Sequence, residues 1–154
     1  MTTEKTSRPV KILLVEDSPT DALLTQEALA ATDIPNELFL VTDGVEALAF
    51  LRQEREYRQQ PRPDLVLLDL NLPKKNGLEV LQELKTDENL KAIPIIVLTT
   101  SKAEQDIVKS YHFHANCYVI KPVDFEKFTE AVDGIRNFWL SLVTLPPKES
   151  VSDE

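Results

Sequence analysis

Residues 67–77 read LLDLNLPKKNG. The aliphatic run Leu65-Val66-Leu67-Leu68 leads into Asp69, and the chain then turns through Pro73 and Gly77. An unbroken aliphatic run bounded by turn residues marks a strand buried on both faces, which predicts a place inside a parallel sheet. A carboxylate at the end of such a strand is costly to bury unless a partner stands beside it. The rest of the chain is therefore expected to supply one.

Working outward, the same pattern recurs. VKILLVED (10–17) is followed by SPTDALLTQEALAAT (18–32), with Ser18 as N-cap, Pro19 at the first helical position and Leu23, Leu24, Ala28 and Leu29 at helical spacing. ELFLVT (37–42) precedes DGVEALAFLRQEREY (43–57), and DLVLLDL (64–70) precedes GLEVLQELKT (77–86). IPIIVLTT (93–100) precedes SKAEQDIVKSY (101–111), where Ser101 and Glu104 are spaced as a capping box. CYVIK (117–121) precedes DFEKFTEAVDGIRNFWLSL (124–142). Repeated strand–helix units of this kind predict a doubly wound α/β fold, a parallel sheet covered by helices on both faces.

Composition narrows the function classes. A chain of 154 residues fits one domain with a real core, and a net charge of -9 disfavours nucleic-acid backbones and anionic membrane surfaces as partners. The single cysteine, Cys117, excludes an internal disulfide and reads as a small buried hydrophobe. No apolar run reaches membrane-spanning length and the opening MTTEKTSRP does not resemble a signal peptide, so the expected compartment is the cytoplasm.

In a doubly wound sheet, ligands bind beyond the carboxyl ends of the strands. The charged residues fall there: Glu16-Asp17 after the first strand, Asp69 after the third, Thr99-Thr100 after the fourth and Lys121-Pro122 after the fifth. Clustered carboxylates raise one another's pKa unless a cation sits among them. A hard divalent ion fits an all-oxygen set, and Mg²⁺ fits best.

The set VED (15–17), DLNLPKKNG (69–77), LTTS (98–101) and YVIKP (118–122) resembles the receiver domain of two-component response regulators. Each motif alone is weak, and the specificity lies in four of them in order at the ends of alternating strands. The resemblance implies a flavodoxin-like fold of strand order 2-1-3-4-5, with a receiver over 9–138, a tail over 1–8 and an extension with an acidic end over 139–154. It implies that Asp69 accepts a phosphoryl group from a phosphohistidine on a sensor kinase. Asp17 and Asp69 would then ligate Mg²⁺ directly, with the Asn71 carbonyl as a third ligand and Glu16 acting through water. Lys121 would pair first with Asp69 and afterwards with a phosphoryl oxygen. The Thr99 hydroxyl would take another oxygen, and backbone amides near Asn71 and Thr100 would complete the cradle. Pro122 matches the family's cis-proline, and Tyr118 its switch aromatic, which rotates inward as Thr99 is drawn to the phosphoryl group. Thr100 departs from the alanine many receivers carry, and its bulk is expected to slow attack by water.

Taken singly, these residues have plainer readings. Glu16 and Asp17 suit the first turn of a helix by its macrodipole, Lys121 suits a surface, and Thr99 and Tyr118 suit a strand. The H-x-H of His112 and His114 stands in a ligand-poor loop and does not read as a metal site. The polar stretch 52–64 reads as a solvated helix end and loop.

Beyond the receiver, Phe138, Trp139, Leu140, Leu142, Val143 and Leu145 continue an apolar series up to Pro146-Pro147. Side chains of this size left in water favour association, so Phe138, Trp139, Leu142 and Val143 are expected in a symmetric homodimer contact, the alternative being that they fold back on their own receiver. That ending, HANCYVIKP and the long loop before the third strand resemble the small response regulators that partner cyanobacterial phytochromes. The narrower resemblance implies a light-regulated histidine kinase as input. No output domain is expected after the receiver, which leaves a protein contact or transfer to a histidine phosphotransfer protein as output.

Two other classes compete. A phosphatase of the haloacid dehalogenase type also phosphorylates an aspartate after a strand but places a second aspartate two residues on, where this chain has Asn71. A nucleotide or flavin binder shares the topology, but three glycines and no glycine-rich loop count against it. The chain is thus not expected to be an enzyme, with a phosphorylation-independent binding module as the alternative.

Overall fold

The computed structural model describes residues 9–109, 115 and 117–134. The strands are β1 (Val10–Val15), β2 (Asn36–Val41), β3 (Leu65–Asp69), β4 (Ile95–Thr99) and β5 (Cys117–Ile120). All pair in parallel in the order β2-β1-β3-β4-β5. The helices are α1 (Pro19–Ala31), α2 (Gly44–Leu51), α3 (Gly77–Thr86), α4 (Lys102–Lys109) and α5 (Phe125–Gly134), with a 3-10 turn at Arg55–Tyr57.

Strand alternation divides the core in two. Leu13, Val15, Val66, Leu68, Ile95 and Val97 pack with residues of α2, α3 and α4. Ile12, Leu14, Leu65, Leu67, Ile96 and Leu98 pack with residues of α1 and α5. Both faces are therefore dry, as the aliphatic runs require. Asp69 continues the alternation of Leu65 and Leu67 toward α1, whereas Thr99 continues that of Ile95 and Val97 toward α4.

Local chemistry sets the helix ends. Ser18 caps α1 by accepting from Asp21 N at 3.2 Å, and Asp43 caps α2 by accepting from Glu46 N at 2.8 Å. Asn76 and Glu79 form a full capping box on α3. The next residue, Gly77, donates its N–H to Leu70 O at 2.9 Å, and a Cβ there would overlap the Asp69 carbonyl and Leu70 Cα. Only glycine lets α3 start so close behind Asp69.

One expectation needs correction. The helix expected through Tyr57 stops at Leu51, because Gln53 and Arg55 adopt positive φ (56° and 54°), which no α-helix accommodates. In α1 the buried residues are Ala22, Thr25, Ala28 and Leu29, while Leu23 and Leu24 are 54% and 40% exposed. Small residues let that helix lie close to the sheet, and the leucines stand outside. His112 and His114 lie outside the described residues, as do Phe138, Trp139, Leu142, Val143 and the rest of the 139–154 extension.

Candidate functional site

The parallel register carries the ends of β1, β3, β4 and β5 to one edge. Val15 pairs with Leu68, Asp69 with Leu98 and Thr99 with Ile120. The turn after β5 is tied back by Lys121 N donating to Thr99 O at 2.7 Å, and the Lys121–Pro122 peptide is cis.

On the side toward α1, Lys121 Nζ donates to Glu16 Oε1 at 3.1 Å, Asp69 Oδ2 at 3.1 Å and Asp21 Oδ2 at 2.8 Å. Glu16 and Asp69 are buried, and Asp17 is exposed at the mouth. Burial, reinforced by neighbouring Asp69, pushes the Glu16 carboxyl up to about 7, although Lys121 pulls the other way. For Lys121, burial alone would favour the neutral amine. Its three acidic partners outweigh burial and hold it protonated well above its usual range. Glu16 Oε2 also accepts from Ser18 N at 3.2 Å, so the first-turn role and the site role coexist in one side chain.

Glu16, Asp17 and Asp69 each place a carboxylate oxygen within 4.8 Å of the others. An all-oxygen set with two buried members and one facing solvent suits a hard divalent cation with room for water ligands. Asn71 N donates to Asp69 Oδ1 at 3.1 Å, which fixes the carboxylate oxygen that Lys121 leaves.

The side toward α4 differs. Thr99 is fully buried, and its hydroxyl has no hydrogen-bond partner among the described residues. Thr100 is exposed, and both its N–H (2.7 Å) and its hydroxyl (3.2 Å) donate to Glu104 Oε1. The amide of Asn71 donates to Glu104 Oε2 at 3.1 Å. Half of the expected capping box is therefore present: Ser101 Oγ accepts from Glu104 N at 3.1 Å, but the glutamate carboxylate turns to Thr100 and Asn71. Tyr118 packs half-buried against the α4-side core, with Lys109 Nζ 5.2 Å from its ring centroid.

The response regulator receiver domain family matches residues 12–133. The chain belongs to this family. The receiver is 50% identical over 143 residues to the response regulator Rcp1 of Synechocystis sp., spanning 93% of this chain and 97% of that protein. Among solved structures it resembles the phosphorylated cyanobacterial phytochrome response regulator RcpA, with 54% identity, coverage of 90% and 99%, and a TM-score of 0.72. It also resembles the Mn²⁺-bound form of Rcp1, with 52% identity, the same coverage and a TM-score of 0.70. These relatives are signalling response regulators.

Within the receiver edge, Glu16, Asp17, Asp69 and Lys121 stand together, and Asn71, Thr99 and Thr100 flank them. Tyr118 lies on the α4 side and Pro122 follows Lys121 in the turn. Sequence reasoning missed two acids. Asp21, in the first turn of α1, is the shortest of the Lys121 contacts, and its signal was an unexplained acid three residues after the N-cap. Glu104 was read as a cap, and its contact with Asn71 spans 33 residues of sequence.

Proposed function

We propose that this receiver takes a phosphoryl group onto Asp69 from the phosphohistidine of a sensor histidine kinase, a phytochrome by the kinship of the chain, and signals by a change in shape. The observation that carries this reading is the asymmetry around Asp69. One oxygen is held by Lys121 beside two further carboxylates able to share a cation, and a buried hydroxyl without a partner among the described residues ends the adjacent strand.

In the transfer, an Asp69 oxygen forms a bond to phosphorus as the phosphorus–nitrogen bond breaks, and the imidazole leaves with its electron pair. Asn71 N–H and Lys121 orient the carboxylate for that approach. Asp17, Asp69 and the Asn71 carbonyl would hold Mg²⁺, with Glu16 acting through water. When bound, the ion supplies neutralisation of charge on the phosphoryl oxygens. Afterwards Lys121 keeps its place against a phosphoryl oxygen, Thr99 donates its hydroxyl to another, and the backbone amide of Thr100 takes part in the cradle. Tyr118 then moves inward into the space that Thr99 leaves.

The receiver works in the cytoplasm, consistent with a single half-buried cysteine whose thiol burial pushes up, and with no described helix long and apolar enough to cross a membrane. Its output is a protein contact or onward transfer to a histidine phosphotransfer protein, and its 138–143 segment makes a homodimer contact through Phe138, Trp139, Leu142 and Val143. Incubation with acetyl phosphate and Mg²⁺ is expected to add the mass of one phosphoryl group to wild type and none to Asp69→Asn, because an amide is a poor nucleophile. Labelling that persists in Asp69→Asn would contradict the assignment.

A further inference from the structure

Glu104 stands at the lip of the site with no part in the chemistry proposed above. Three donors nevertheless converge on its carboxylate: the N–H and hydroxyl of Thr100 on one oxygen, and the side-chain amide of Asn71 on the other. At 2.7 Å, the Thr100 N–H contact is a short charge-assisted bond. The helix does not need this carboxylate as a cap, because Ser101 Oγ already accepts from Glu104 N.

Asn71 ties the two carboxylates together, with its backbone N–H on Asp69 Oδ1 and its side chain on Glu104 Oε2. Thr100 directly follows the strand that pairs with β3 at Asp69. The amide that Glu104 occupies thus belongs to the same strand-end cradle as Asp69.

We propose that Glu104 is an internal latch, a carboxylate that occupies the Thr100 amide in the resting receiver and must leave it when a phosphoryl oxygen arrives. The inference rests on the reading of Asp69 as phosphoryl acceptor. One N–H cannot serve two anions at full strength, and two anions on neighbouring donors repel. Phosphorylation therefore expels the carboxylate. Glu104 sits in the first turn of α4, so its release frees that turn, on the helix that also carries Lys109 against Tyr118. The latch links the occupied cradle to the α4 surface by a route separate from the Thr99 hydroxyl.

The test titrates the full chain with beryllofluoride, a persistent anionic mimic of the phosphoryl group, in Mg²⁺ buffer, and follows amide signals by NMR. Glu104→Ala keeps the Ser101 cap and is expected to bind about three- to tenfold tighter than wild type, the net scale of one solvent-exposed hydrogen bond to be broken. Glu104→Gln, which can still accept from Thr100 but carries no charge, falls between. Asp106→Asn removes an equal charge from the same helix and stays within about twofold of wild type, since an exposed charge of this kind is screened. The Thr100 amide signal differs between wild type and Glu104→Ala before addition and coincides after saturation, because the latch has then left in both. Equal affinities in wild type and Glu104→Ala, an equal gain in Asp106→Asn, or a Thr100 difference that survives saturation would each overturn the latch while leaving Asp69 as acceptor. A wild-type chain that takes up no beryllofluoride would overturn the reading of Asp69 and the latch with it.

Discussion

On the α1 side of the sheet edge one ammonium meets three carboxylates, whereas on the α4 side a buried threonine hydroxyl meets no partner among the described residues. The two regions are built from adjacent strand ends, yet they use their polar groups in opposite ways. Toward α1 the donors of Lys121 are all engaged, and the surplus is negative charge. Toward α4 the surplus is hydrogen-bonding capacity, covered at the lip by the Glu104 carboxylate. A site of this form is poised for a cation on one side and for a new anion on the other. Asp69 is placed at the seam between excess charge and excess donors.

The comparison is broken most severely by removing the cation. Lys121→Met leaves Glu16 and Asp69 buried without their ammonium and is expected to cost about 3 kcal/mol of stability in metal-free buffer near neutral pH. Urea denaturation measures it, and an unchanged midpoint would show that Lys121 does not hold the α1 side together.

The surplus charge has its own pH signature. The Glu16 carboxyl is raised from 4.5 to about 7 in the folded chain, so the folded state binds the extra proton between those values. Its contribution is complete below the unfolded pKa and is lost as pH rises through about 7. Metal-free stability is therefore expected to fall by an amount on the order of 2 to 3 kcal/mol from this group between about pH 5 and pH 8. Glu16→Gln, which stays neutral, flattens the curve. A wild-type and variant pair with parallel pH–stability curves would remove Glu16 as the source.

A smaller effect of opposite sign belongs to the other side. Thr99→Val replaces a buried hydroxyl that has no described partner by a methyl group of similar shape, and is expected to raise stability by about 1 kcal/mol. Thermal melts of the metal-free chain measure it. A loss of that size would mean that the hydroxyl is bonded in solution.

Much of the fold could be read from the sequence because the decisive signals are local. The runs 12–15, 65–68 and 95–98 are apolar at every position, and a strand buried on both faces demands this. The span of α3 also followed from its own residues, since Gly77 begins it directly after a strong cap. The end of α2 did not, because the positive φ of Gln53 and Arg55 is imposed by the loop they enter and neither residue type announces it. The buried face of α1 was not legible either: helical spacing reports which apolar residues share a face, and here the sheet takes the face of Ala22, Thr25, Ala28 and Leu29. In the site, residues at strand ends were legible from topology alone. Asp21 and Glu104 were not, because their contacts with Lys121 and Asn71 join segments 100 and 33 residues apart.

The central claim is that the spare donor of the α4 side reads the phosphoryl group. The measurement is the change in the Tyr118 ring signals when the full chain is phosphorylated by acetyl phosphate with Mg²⁺, compared between wild type and Thr99→Val, with intact mass used to match the extent of labelling. The account predicts a large change in wild type and little change in Thr99→Val at equal labelling, because the valine cannot be drawn to the new anion. Equal changes in the two chains would contradict it.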